Sequence, residues 1–376
     1  MPSTYGVLGA AGAMGRRHLK AILTCVENSD PSAEVLAFDR APEGIAAGAT
    51  VCASEEEFFA NREFELLVIA LHARDRSAAY QALVDGTCHA KLVLLEKPLT
   101  DVKESQLVVG SGAEEYLDKY GDRTIIHFTE IFDPITAVLL EALNGEKTSV
   151  PKLIPRRIKC ERSKNREAAG SPFNERHSEP IAIQEGVHDV CFALHVLRSC
   201  FSEESSIPSV SLAGAFATDL YHPTNGIVPL AGSSDAIFIE RDRGIPIIVE
   251  NSFIDPWREK GKFFSCSDEQ GNDYHVFASH LWSEEHGRED YAKPHEIAYR
   301  SVRVWNAEGA VIYDAANDPA AASVLHLGQD EIDQHMMQML FEMLSSGQIQ
   351  SNIDLTLATE ELCVSKLRYQ QEHGYT

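Results

Sequence analysis

A chain of 376 residues exceeds one ordinary hydrophobic core and predicts two domains. Hydrophobic residues make up 44% and charged residues 24%, a globular composition, and 33 basic against 57 acidic side chains give a formal net charge of −24. That balance disfavours nucleic acid and anionic membrane as partners. No stretch approaches the ~20 apolar residues of a membrane span. The N-terminus has neither a basic region nor a long apolar run, so no signal peptide is expected. The eight cysteines, at 25, 52, 88, 160, 191, 200, 266 and 363, form no C-x-x-C pair. Most lie in apolar stretches such as Val190-Cys191-Phe192, so reduced core thiols and a cytoplasmic location are expected.

From residue 1 to about 130, short apolar strands alternate with amphipathic helical patterns, which predicts βαβ units and a parallel sheet. Strands are expected at 4–8, 34–39, 66–71, 92–95 and 124–128. Met14, His18, Ala21, Ile22 and Cys25 share one face of the first helix. A helix near 135–144 then leads to a strand at 152–161, a charged loop at 163–180 and a helix over 181–200. Two hairpins follow, 236–240 with 245–251 and 301–305 with 311–313, each closed by a glycine-bearing turn. The stretch 268–296, dense in acids and histidines, reads as a long exposed loop with short strands. Helices near 328–345 and 354–371 close the chain.

The fold class is therefore α/β: a doubly wound Rossmann domain over 1–130, then an α+β domain over 131–376 with a large, mainly antiparallel open sheet. The terminal helices are able to pack back on the first domain.

The first strand runs straight into Gly9-Ala10-Ala11-Gly12-Ala13-Met14-Gly15 and a helix. A glycine turn in this place lets backbone amides approach a pyrophosphate, whose charge the helix start then meets. The spacing is G-x-x-G-x-x-G, a variant of the dinucleotide fingerprint. Asp39 stands 24 positions past Gly15 at the end of the next strand, where an acid accepts hydrogen bonds from a ribose and favours NAD. Arg40 beside it would suit a 2′-phosphate or stack on adenine, so NADP stays open.

Some eighty residues on comes Leu94-Leu95-Glu96-Lys97-Pro98-Leu99. With Glu96-Lys97-Pro98, and with Phe132-Asp133-Pro134 resembling a domain-joining segment, the chain resembles the glucose-fructose oxidoreductase, inositol dehydrogenase and MocA (Gfo/Idh/MocA) family. The resemblance implies an NAD(P)-dependent oxidoreductase acting on a secondary alcohol or ketone of a sugar, polyol or sugar derivative, in a homodimer or homotetramer. It implies cofactor contacts from Gly9, Ala11, Gly12, Ala13, Met14, Gly15, Asp39, Arg40, Leu71, His72, Glu96 and Lys97, with Lys97 also facing substrate. The family's Asp-x-Gly-x-His motif, whose histidine passes a proton, is matched by Gln184-Glu185-Gly186-Val187-His188. His188 matches and Gln184 departs.

Residues four apart on a helix face one way, so Gln184 and His188 are expected on one pocket wall, with Glu185 rotated about a hundred degrees away. Gln184 can hydrogen-bond hydroxyls but supplies no charge. Losing a carboxylate there would leave cationic Lys97 and His188 less stabilised, which suits His188 as a general base and Lys97 as the group polarising a developing carbonyl.

Arg156, Arg157, Lys159, Arg162, Lys164 and Arg166 fall within eleven residues. Strand alternation places Arg162 and Lys164 on an inner face near the strand end, hinting at an anionic substrate; balancing local acids would explain them equally. His188 and His195, seven apart, make only a weak metal pair, and no metal is expected. Two alternatives remain: an NAD-retaining enzyme using transient oxidation for epimerisation or glycoside cleavage, and a catalytically silent dinucleotide sensor.

Overall fold

The computed structural model describes residues 2–103, 106–108, 112–163, 181–201, 206–221, 230–253, 260–280 and 300–375. The chain forms two units, Met1–Phe128 with Gln329–Leu357, and Thr129–Gly328 with Ala358–Thr376.

The first unit contains, in chain order, β1 (Thr4–Leu8), α1 (Ala13–Ser29), β2 (Glu34–Phe38), β3 (Thr50–Val51), α2 (Glu55–Phe59), β4 (Arg62–Ile69), α3 (Ser77–Val84), β5 (Cys88–Glu96), the short strands β6 (Asp101–Lys103) and β7 (Gln106–Val108), α4 (Ala113–Tyr120) and β8 (Thr124–His127). Its main sheet has the order β3-β2-β1-β4-β5-β8, with every pairing parallel. A parallel sheet is covered on both faces, which is why Leu66–Ile69 and Leu92–Leu95 are continuous apolar runs with no exposure. The chain moves outward from β1 to β2 and β3, then crosses to β4 on the other side. This reversal makes the carboxyl ends of β1 and β4 the place where open α/β sheets bind ligands.

The second unit opens with α5 (Thr129–Phe132) and α6 (Pro134–Leu143), then β9 (Ile154–Ser163), α7 (Ile181–Gln184) and α8 (Gly186–Cys200). Seven strands follow: β10 (Val210–Tyr221), β11 (Leu230–Glu240), β12 (Ile245–Ser252), β13 (Gly261–Ser267), β14 (Asp273–Ser279), β15 (Ser301–Asn306) and β16 (Val311–Asp314). After the short α9 (Pro319–Ala322), α10 (Gln329–Ser346) and α11 (Ile353–Glu372) end the chain. α10 belongs to the first unit, where Asp333 takes a two-pronged contact from Arg17 and Phe341 stacks on Tyr5 at 4.9 Å.

The second sheet has the order β10-β11-β12-β9-β13-β14-β15-β16, antiparallel except for β12 with β9. Ile158, Cys160, Phe238, Ile247, Val249 and Phe264 are buried on one face, against which α8 packs. Across the other face a row in register reads Ile237, Ile248, Lys159, Phe263, Phe277, Arg303, with Phe263 37% exposed.

Two sequence expectations need correction. The helix over 181–200 is interrupted: α7 stops at Gln184 and α8 restarts at Gly186, with Glu185 as a turn residue between them. The stretch 268–296 is not all loop, because 273–279 is an interior strand and His280 is buried. Residues 281–296, most of the basic-rich loop and Lys164 within it lie outside the described residues. Among the described residues no helix is long and apolar enough to cross a membrane. All eight cysteines are buried and none forms a disulfide.

Candidate active site

In the first unit, the three glycines of the turn are required for different reasons. Gly9 has φ +81°, a conformation that favours glycine, and a Cβ there would stand 2.7 Å from the Ala70 carbonyl oxygen. Gly15 begins the part of α1 that presses on the turn, so that a Cβ would lie 1.9 Å from the Gly9 carbonyl oxygen. At Gly12 a Cβ would stand 3.3 Å from the Gly9 carbonyl oxygen, a tight contact and not an outright clash, and the residue is exposed, so its missing side chain also leaves surface. The Gly9 and Ala10 amides donate to the Phe38 carbonyl at 2.8 and 3.1 Å, and the Gly12 amide closes the turn on Gly9 at 3.1 Å. No side chain caps α1, and no acid stands in its first turn. The start of that helix is therefore a set of amides and a positive dipole end suited to a phosphate.

Asp39 follows β2 beside this turn. Its Oδ2 accepts from the Ala11 amide and its Oδ1 from the Ala41 amide, both at 3.0 Å, which holds the carboxylate rigidly next to the glycine loop. Arg40 is exposed, and Met14 is half-buried on α1. Turn, helix start and fixed carboxylate fit the pyrophosphate and ribose of a dinucleotide.

Beyond β4 come Leu71, half-buried, and His72, exposed; β5 ends on Glu96, buried, and is followed by Lys97, half-buried before a cis Pro98. Arg76, fully buried, joins these two loops. Its guanidinium donates to the carbonyls of Leu71 at 3.0 Å, Pro98 at 2.8 Å and Glu96. Glu96 turns inward, where its Oε1 accepts from His18 Nε2 at 2.6 Å and from His127 Nδ1 at 2.8 Å. Burial alone would raise the Glu96 carboxyl, but the two imidazoles hold it well below the usual carboxylate range. Burial drives the His18 imidazole the other way, toward the neutral form. These three ligand atoms lie within 4.8 Å of one another, close enough for a metal ion, yet both ring nitrogens meet a single carboxylate oxygen at hydrogen-bond length. The arrangement fixes Glu96, and through it the backbone that carries Lys97.

The second unit gathers residues remote in sequence. His188 lies in the first turn of α8 and its Nδ1 is 2.7 Å from Glu130 Oε2 on α5. The other oxygen of Glu130 takes a hydrogen bond from Arg162 Nη1 on β9, and Arg162 Nε donates to Glu185 Oε2 at 2.5 Å. No side chain in this chain of four exceeds 8% exposure. Burial would raise the Glu130 carboxyl; Arg162 and His188 more than offset that and hold it well below its ordinary range.

Arg162 does face inward, as strand alternation requires, but its guanidinium is spanned by two carboxylates. It is placed as a buried counter-ion and not as a receptor for an anionic substrate. Gln184 is buried at the end of α7, and the break at Glu185 removes the continuous helix on which a shared face with His188 was argued. His188 also does not lack a carboxylate, because Glu130 supplies one. Sequence reasoning missed Glu130; its only local signal is an acid set among Phe128, Ile131 and Phe132. It likewise missed Arg76, His18 and His127 as supports of the Glu96-Lys97 loop.

No protein-family model and no curated protein sequence matches the chain. Solved structures do. A myo-inositol dehydrogenase from Corynebacterium glutamicum superposes with a TM-score of 0.64 at 18% identity, covering 99% of this chain and 98% of its own. A levoglucosan dehydrogenase in complex with NADH and levoglucosan gives 0.64 at 14% identity, over 99% and 98%. A myo-inositol 2-dehydrogenase from Lactobacillus plantarum gives 0.61 at 12%, over 98% of both chains. At such identities the likeness is one of architecture, and the chain has the two-part fold of the Gfo/Idh/MocA-type oxidoreductases.

Proposed function

We propose that the protein is an NAD(P)-dependent oxidoreductase that moves a hydride between a nicotinamide and a CH–OH carbon of a neutral sugar or polyol. The observation that carries this reading is the glycine turn, whose open amides at the start of α1 stand beside the fixed Asp39 carboxylate. The sugar and inositol dehydrogenases that share the fold support the substrate class. A bound nicotinamide would supply the hydride acceptor. The Ala13 and Met14 amides would hold its pyrophosphate where Gly12 leaves surface for it, Asp39 its ribose, and Lys97 the oxygen of the reacting carbon as that becomes a carbonyl. His188, through Nε2, the ring nitrogen that does not face Glu130, would accept the proton of the substrate hydroxyl.

Neutral substrates follow from Arg162, whose charge is spent on Glu130 and Glu185. Buried, unpaired thiols favour a reducing compartment such as the cytoplasm. The half-exposed row Ile237, Ile248, Phe263 and Phe277 on the open sheet favours a homodimer or homotetramer. Sedimentation of Phe263→Glu should show smaller particles than the parent chain, and an unchanged mass would remove that face from consideration.

The reading is tested by offering NAD or NADP with a panel of neutral sugars and polyols and following nicotinamide reduction. Turnover is expected on at least one of them, and His188→Ala should lower kcat by about 10²–10⁴. If neither NAD nor NADP bound in a calorimeter, the reading would be overturned.

A further inference from the structure

The proposed reaction asks His188 to take a proton through one ring nitrogen while the other is held, and the second unit contains an unforeseen holder. We infer that Glu130 is the positioning carboxylate of His188, doing from α5 the work for which position 184 carries only an amide. This rests on the reading above for its catalytic meaning but not for its physical content.

The argument begins with geometry. An ionised carboxylate can only accept, so the 2.7 Å contact requires a proton on His188 Nδ1. In the neutral ring that fixes the tautomer and makes Nε2 the unprotonated nitrogen, the one able to accept a proton. When Nε2 gains a proton, the new imidazolium is already in contact with a negative charge, at a site where little water competes. Glu130 is itself locked: Arg162 binds its second oxygen, Glu185 holds Arg162 from the far side, and the Glu130 carbonyl accepts from the Thr136 hydroxyl. A carboxylate fixed at both ends cannot swing away from the ring.

The surrounding charges do not oppose this assignment. Among the described residues, the ionisable groups around the pair include Glu130, Glu185, Asp189, Arg162, Lys260 and Lys262, with the buried His280 imidazole pushed by its burial toward the neutral form. Asp189 is engaged by Lys262 and Asn251. Among the described residues the carboxylate in contact with the ring is that of Glu130, and a carboxylate in contact favours the charged imidazole. Gln184 cannot take the same part, because its amide carries no charge in any protonation state.

The test is 15N NMR of histidine-labelled protein across a pH series, with the His188 signal assigned by its loss in His188→Asn. The parent protein should show the Nδ1–H tautomer in the neutral ring, and this measurement needs neither substrate nor cofactor. In Glu130→Gln, which keeps the shape and leaves Arg162 paired with Glu185, the proton affinity of His188 should fall roughly tenfold, about one pH unit. The acid limb of kcat/KM should move to lower pH by the same amount. Glu130→Asp, which keeps the charge and shortens the reach, should lie between parent and Glu130→Gln. An Nε2–H tautomer in the parent, or a His188 titration indifferent to both variants, would overturn the assignment. Absence of turnover with an intact His188–Glu130 coupling would instead overturn only the proposed reaction.

Discussion

The two units build their candidate functional groups from different material. The first uses backbone: amides of the glycine turn and the start of α1, with carbonyls of two loops gathered on Arg76. The second uses buried side-chain charge, with Glu130, Arg162, Glu185 and His188 linked in one line. A backbone surface tolerates most side chains and fails only where a Cβ cannot fit. A line of buried charges depends on every member, since removing one strands its neighbours without water.

The strongest way to break this comparison is to remove the middle of that line. Arg162→Met leaves Glu130 and Glu185 buried without their cation, and should cost about 3–5 kcal/mol in urea unfolding. A loss below ~1 kcal/mol would mean that the cluster is wetter than its burial implies. Next comes the turn. Gly15→Ala pushes a methyl into the Gly9 carbonyl, which should cost about 1–3 kcal/mol and abolish the heat of coenzyme binding. Glu27→Ala, exposed on the same helix and away from the turn, should leave both nearly unchanged, and equal damage from the two would deny that steric fit governs this surface. The smallest effect sharpens the choice of coenzyme. Asp39→Ala removes a charged acceptor held by two amides, so Kd for NAD should rise about tenfold while NADP is affected less. Equal losses for both coenzymes would place Asp39 among the supports of the turn alone.

The legibility of the site follows the same division. Gly9, Gly12, Gly15 and Asp39 could be read in advance because a strand, a turn and a helix place them by local geometry. The parallel order of the first sheet and the hairpins of the second follow from the same kind of periodicity. Arg162 was legible as inward-facing, with pairing to acids and contact with an anionic substrate both left open, since alternation states a direction without naming what lies there. The break at Glu185 escaped because Gln184 to His188 is compatible with a continuous helix, and only packing distinguishes the two.

By itself, the chain determined what neighbours within a few residues determine: a glycine turn before a helix, an acid at a strand end, and Lys97 at the carboxyl edge of a parallel strand. Tertiary structure alone decided which charge meets which. Glu130, Arg162 and His188 stand 32 and 58 positions apart from one another along the chain, counted from Glu130. Coulombic attraction and hydrogen bonding act through space, so their partners are settled only when distant segments are packed and water has been excluded.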